Sequence, residues 1–134
     1  MRNLVTRCGL PTDGIDDRET RLLVARDGAP DGGGRIVGCA GVEIRGSAGV
    51  VRSLAVDPER RGSGVGRDLM AAVLGLARDA GCSDVYGLTA TALRMMQRLG
   101  FEAIPREKVP DNARASREFS IPACSTAAAI HRSL

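Results

Sequence analysis

Residues 57–69, DPERRGSGVGRDL, decide how the chain is read: three glycines and three arginines fall within thirteen positions. Before them runs VVRSLAV (50–56), a strand by its apolar and β-branched content. After them the period changes. Leu69, Met70, Val73, Leu74, Ala77 and Ala80 recur at three- and four-residue steps, which predicts a helix over 66–80 with Arg67, Asp68, Arg78 and Asp79 on its wet face and Gly81 as C-cap. A strand that passes through a glycine-rich turn straight into a helix presents several backbone N–H groups at the helix N-terminus, an arrangement that binds phosphate. Two common phosphate motifs fail on the letters. A Walker-type loop needs a lysine that is absent, and the dinucleotide fingerprint needs glycine where Arg67 or Leu69 stands. What remains is R-x-x-G-x-G, formed by Arg61, Gly64 and Gly66 after Asp57 and Pro58. A plain strand-to-helix connection is the competing reading, although such a connection needs no three glycines and three arginines.

Working outward, MRNLVTRCGLP reads as a short helix stopped by Gly9 and Pro11, followed by TDGIDDRET with helix-start chemistry. RLLVARD (21–27) and RIVGCAGVEIR (35–45) are strand-like and joined by GAPDGGG; GSAG (46–49) turns into VVRSLAV, making three successive antiparallel strands. DVYGLTA (84–90) predicts a buried strand, TALRMMQRLG (91–100) a helix closed by glycine, and FEAIPREKV (101–109) a strand interrupted by Pro105. A polar loop with Arg114 and Arg117 precedes a last strand in ACSTAAAIHR (123–132). Strands, glycine-rich turn, helix, strand, helix, strands: this order gives an α+β fold, a mixed sheet flanked by helices.

Composition narrows the partners. At 134 residues the chain reads as one domain, 1–134. Its net charge of +3 comes almost wholly from arginine, since Lys108 is the only lysine, and its aromatics are Tyr86, Phe101 and Phe119 alone. That argues against nucleic acid, which favours a denser basic stripe with stacking aromatics, and leaves small anionic ligands open. Cys8, Cys39, Cys82 and Cys124 are far apart, and the sole histidine, His131, is nearly terminal. This pattern predicts free thiols in a cytoplasmic protein with no metal, no membrane span and no signal peptide.

At this point LAVDPERRGSGVGRDLM (54–70) resembles the acyl-CoA-binding segment of the GNAT (Gcn5-related) N-acetyltransferases, and MMQRLGFEAI (95–104) resembles the second GNAT signature. The resemblance spans about residues 20–130 in element order. It implies acetyl-CoA as cosubstrate, held by its diphosphate on the amides of Arg61, Gly62, Ser63, Gly64, Val65, Gly66 and Arg67. It also implies that the backbone of Leu54, Ala55 and Val56 contacts the pantetheine arm and the thioester oxygen. The expected fold is the GNAT one, mostly antiparallel; because the sequence opens inside what should be the first helix, either the first edge strand is lacking or the sequence is short.

Transfer of acetyl to an amine needs a neutral nucleophile and a proton for the leaving thiolate. The family's tyrosine acid slot, four positions before the glycine, here holds Met96, preceded by Met95. Tyr86 and Thr89 on the neighbouring strand are substitutes for the acid, against a plain structural role for each. Glu43, between Val42 and Ile44, is the candidate base, because loss of water makes a carboxylate more basic; the competing reading is an outward-facing glutamate. His131 titrates near neutrality but sits at an exposed end. VRSLAV together with ASREFS looks most like the small amino-acid acetyltransferases related to N-acetylglutamate synthase, including the short members of bacterial arsenic-resistance clusters. Arg52, and Arg114 or Arg117, then become carboxylate ligands, against ion-pair roles for each. A small-molecule amine is the expected acceptor, a homodimer through sheet edges is open, and the alternatives are a protein or peptide N-acetyltransferase and a non-catalytic acyl-CoA-binding module.

Overall fold

The computed structural model describes residues 19–26, 34–121 and 126–134, with Arg117 by its backbone alone. The expected opening helix, most of the GAPDGGG turn, Cys8 and Cys124 lie outside these residues. Six strands form one sheet: β1 (Thr20–Arg26), β2 (Ile36–Arg45), β3 (Ala48–Val56), β4 (Asp84–Thr89), β5 (Glu102–Ile104) and β6 (Ala128–Ser133), in the order β1-β2-β3-β4-β6-β5. All neighbours are antiparallel except β3 and β4, which run parallel. This pair is the consequence of the helix between them, since parallel strands need a crossover. Among the described residues β1 and β5 are the sheet's two edges.

Helix α1 (Val65–Asp79) forms where the 3.6-residue period predicted it and buries Leu69, Met70, Val73, Leu74 and Ala77. They pack on Ala40, Val42, Val51, Val85, Phe101 and Ile130 from one face of the sheet. Its first turn lies very close to β2. A Cβ at Gly38 would come within 2.9 Å of both Leu69 Cδ1 and Val65 Cγ1, so only glycine lets the helix start there. The other face carries Ala48, Val50 and Ala129 under Val109 and Ala113, with Tyr86, Leu88, Ile104 and Phe119 around them.

Three elements depart from the sequence reading. The strand expected over 101–109 is only β5, because Pro105 offers no N–H to a ladder and Arg106–Lys108 turns as a 3₁₀ segment. The polar loop contains a short helix α3 (Asp111–Arg114) and a 3₁₀ turn at Arg117–Ser120. Helix α2 is confined to Leu93–Arg98, its entry fixed by Thr89 Oγ1, which accepts the Ala92 N–H at 2.9 Å.

Candidate active site

The sheet forks at β3 and β4. Their pairing runs from Ala48 opposite Asp84 to Val51 opposite Gly87, while β3 continues to Val56 and β4 to Thr89. Gly87 permits the last tight rung, since a Cβ there would sit 2.8 Å from Val51 Cγ2. Beyond it β3 is bulged. Cys39 opposes Ala55 but Gly41 opposes Arg52, so Ser53 and Leu54 share one place across from Ala40. Ser53 takes φ +58°, a left-handed conformation that serine holds only when its surroundings insist. Two contacts supply that insistence: Arg52 Nε donates to Ser53 Oγ at 3.1 Å, and the Cys39 thiol donates to the Ser53 carbonyl at 3.2 Å.

The fork holds a cavity of about 520 Å³. One wall is β3 from Val51 to Val56; the other is Leu88 to Ala92 with Met95 and Met96, closed by Glu118, Ala127 and Ile130. Its mouth is the glycine-rich turn, with Arg61 and Gly66 on the rim. The turn is built locally. Buried Asp57 accepts the Glu59 N–H at 3.0 Å and the Arg35 guanidinium at 3.2 Å, and Pro58 opens the 3₁₀ turn Pro58–Arg60. Arg61 Nε then reaches back to the Val56 carbonyl at 3.3 Å, and Ser63 Oγ donates to the Arg60 carbonyl. Gly62 and Gly64 take φ +81° and +92°, and Gly64 caps α1 with no side-chain hydrogen bond. The first intrahelical bond is Asp68 N–H to the Gly64 carbonyl. The amides of Val65, Gly66 and Arg67 thus precede the ladder, at the positive end of a fifteen-residue helix. Leu54–Val56, Arg61 and Gly66 are therefore brought together on one cavity, while Gly62–Val65 and Arg67 are not among its lining residues.

The profile of the acetyltransferase (GNAT) domain matches residues 18–103. The chain belongs to the GNAT acetyltransferase family. As a GNAT N-acetyltransferase it takes acetyl from acetyl-CoA, and the fork with its uncapped helix suits a ligand that has a long neck and a diphosphate. Solved structures share the fold. Rv2747 from Mycobacterium tuberculosis, solved with CoA and NLQ, is 24% identical over 84% of this chain and 75% of its own, with a TM-score of 0.68. N-acetylglutamate synthase from Neisseria gonorrhoeae, complexed with coenzyme A and N-acetyl-glutamate, is 23% identical over 76% of this chain, with a TM-score of 0.67; this chain spans only 24% of the synthase. Tetrahymena GCN5 overlays with a TM-score of 0.74 at 16% identity, over 98% of this chain and 82% of its own. No curated protein matches the sequence.

The GNAT chain places its expected catalytic side chains elsewhere. Tyr86 lies where β3 and β4 are still paired, opposite Val50 and His131, and is not on the cavity wall. Strand alternation turns it toward the face that carries Val50 and Ala129, where its ring stands 4.9 Å from that of His131. Burial, then the charge of Asp84, push its hydroxyl above the usual phenol range. His131 Nε2 is 2.8 Å from Asp84 Oδ1, and that hydrogen bond holds the Asp84 carboxyl below the ordinary range. Glu43 faces inward, contrary to the outward reading, yet away from the cavity. It is wholly buried and clamped by Arg45 Nη2 at 3.0 Å and Arg52 Nη1 at 3.1 Å. Both carboxylate oxygens face guanidinium donors, and the side chain is not on the cavity wall where an amine would stand.

Arg52 does adjoin the cavity, but its side chain is sealed, and its Nη2 is buried without a hydrogen-bond partner. Beside it stands a residue the sequence reading quoted in ASREFS without choosing: Glu118, whose Oε1 is 3.3 Å from Arg52 Nε. Among the described residues it is the one carboxylate on the cavity wall. Its backbone is tied to Ser116 Oγ at 3.2 Å, and its side chain stays 9% exposed. Arg114 is exposed and donates to the Arg106 carbonyl at 2.8 Å; it does not line the cavity. The Arg117 side chain lies outside the described atoms. Met96 is buried on the wall, and Thr89 lines it while capping α2.

No helix among the described residues is long and apolar enough to cross a membrane.

Proposed function

We propose that this GNAT chain transfers acetyl from acetyl-CoA directly to the amine of a small amino acid-like acceptor. The observation that carries the acceptor class is the pairing of Glu118, the one cavity carboxylate among the described residues, with an Arg52 guanidinium that keeps an unpartnered buried donor. A zwitterion answers both. Its ammonium suits Glu118, and entry of its carboxylate beside the Arg52 side chain, otherwise sealed, would give Nη2 the partner it lacks, an unmet hydrogen bond that costs about 1–3 kcal/mol or more.

In this reading the amides from Gly62 to Arg67 carry the diphosphate, and the α1 dipole adds about 0.3–1 kcal/mol per exposed charge contact. The cavity edge of β3 along Leu54–Val56 orients the thioester and meets the charge that develops on its oxygen. Glu118 receives the amine's proton. Glu43 acts through Arg52 as a positioning residue. With Met96 in place of a tyrosine, the thiol leaves as thiolate and takes its proton from water, since thiols of this kind ionise near ~8.5.

The test is thiol release from acetyl-CoA across free amino acids, glutamate and its phosphono and arsono analogues included, beside a peptide array. Turnover of free amino acids supports the reading. Turnover of peptides alone makes the chain a protein acetyltransferase, and a CoA-induced rise in melting temperature without turnover of any amine makes it a non-catalytic module.

A further inference from the structure

Cys39 stands on β2 opposite Ala55, wholly buried and off the cavity wall. No step of the transfer uses it. Its thiol nevertheless donates to the Ser53 carbonyl at 3.2 Å, at the point where β3 leaves regular pairing. Between two rungs of the ladder β2 advances from Cys39 to Gly41, while β3 runs from Ala55 to Arg52 and so carries one residue more.

Ser53, at φ +58°, is held against its own preference. Arg52 Nε takes its hydroxyl at 3.1 Å and Cys39 its carbonyl, so the side chain and the backbone of the same residue are both tied. What they secure lies one residue on. The β3–β4 ladder stops at Val51 opposite Gly87, and Ser53, Leu54, Ala55 and Val56 all line the cavity beyond it. Straightening the bulge would slip the strand by one residue on one side of it, and a one-residue slip turns every side chain there to the other face.

We propose that Cys39 is a positioning residue for acetyl transfer: its thiol locks the Ser53 bulge and so keeps Leu54–Val56 in the register that receives the acyl arm. The proposal rests on the placement of that arm given above and deepens it. When the binding-competent register is populated only in part, apparent affinity falls by that fraction. Loss of the thiol is therefore read as weaker binding of acetyl-CoA. Glycine takes positive φ without strain, so a chain with glycine in place of Ser53 no longer needs the lock.

Titration calorimetry with acetyl-CoA, on the full chain below its melting transition, tests this through a double-mutant cycle. Cys39→Ala should weaken acetyl-CoA about fivefold, the scale of one hydrogen bond, and Cys39→Ser, which keeps a donor, should recover most of the loss. Ser53→Gly alone should bind within about twofold of the wild type, and adding Cys39→Ala to it should cost nothing further. A void left by the sulfur would weaken binding equally in the serine and glycine backgrounds. That equal cost overturns the proposal, as does a Cys39→Ala variant that binds as the wild type does. A wild type that binds no acetyl-CoA overturns the placement of the acyl arm together with the lock, whereas equal costs overturn the lock alone.

Discussion

Replacing Glu43 by glutamine separates two roles that the same residue was open to. The side chain keeps its volume and one acceptor, but loses the charge that faces Arg52 and turns a donor toward Arg45. Arg45 is 20% exposed at its side chain and can recover water; Arg52 is 0% exposed and cannot. The cost is therefore set by Arg52. Breaking a buried ion pair from one side destabilises by roughly 3–5 kcal/mol, and Glu118, already 3.3 Å from Arg52 Nε, holds the loss to about 3 kcal/mol at the lower end. With an unfolding entropy of ~2.1 cal/mol/K per residue, a chain of 134 residues loses about 10 °C of melting temperature. Urea unfolding and calorimetry measure both quantities, and acetyl-CoA turnover on the best acceptor is followed below the transition. A clamp predicts a large stability loss with the pH profile of turnover keeping its shape. A loss under about 1 kcal/mol together with collapse of kcat and of the acidic limb of the profile would refute the argument and return Glu43 to the role of base.

Four further outcomes follow from the same geometry. Glu118→Gln should lower kcat/KM by about a hundredfold, the scale of a general base, with CoA affinity unchanged by calorimetry. Gly64→Val forces a β-branched residue into φ +92° and should cost at least about 1–2 kcal/mol, while binding of CoA, read by thermal shift, drops below detection. Tyr86→Phe should keep turnover within about twofold, since the hydroxyl is off the wall. For Asp84, whose carboxyl is held low mainly by the His131 hydrogen bond, the bond's stabilisation is present above the ordinary aspartate value of about 4. It is lost as pH falls below that value, so the gap in urea midpoint between wild type and Asp84→Asn should close on acidification, and a gap that widens toward low pH would contradict the assignment.

What the sequence disclosed was local. The turn at 57–69 and the apolar stripe of α1 are written in neighbouring residues, so glycine spacing and helical period sufficed. The strands were legible by alternation, apart from 101–109, where Pro105 ends the ladder. Contacts between distant segments were not legible. Glu118 meets Arg52 because the connection between β5 and β6 packs back on β3, and no spacing rule links ASREFS to VRSLAV. Glu43 was rightly noticed as a carboxylate among apolar neighbours, yet its face in the sheet depends on two arginines, one of them on the next strand. Tyr86 lies off the wall for a related reason. Alternation puts it on the face of Leu88, which does line the cavity, but Tyr86 stands two residues earlier, where β4 is still paired with β3. The Ser53 bulge left no signal, because serine is not a residue that announces a left-handed backbone.

Gly87 has a reach larger than its size. It sits at the crotch of the fork, where a methyl group would press on Val51, and any wedge placed at the base of two diverging arms spreads their tips by leverage. The width of the slot that must grip a slender acyl arm is thus dictated by a hydrogen atom in the floor of the sheet, several residues away from any group that touches the reaction.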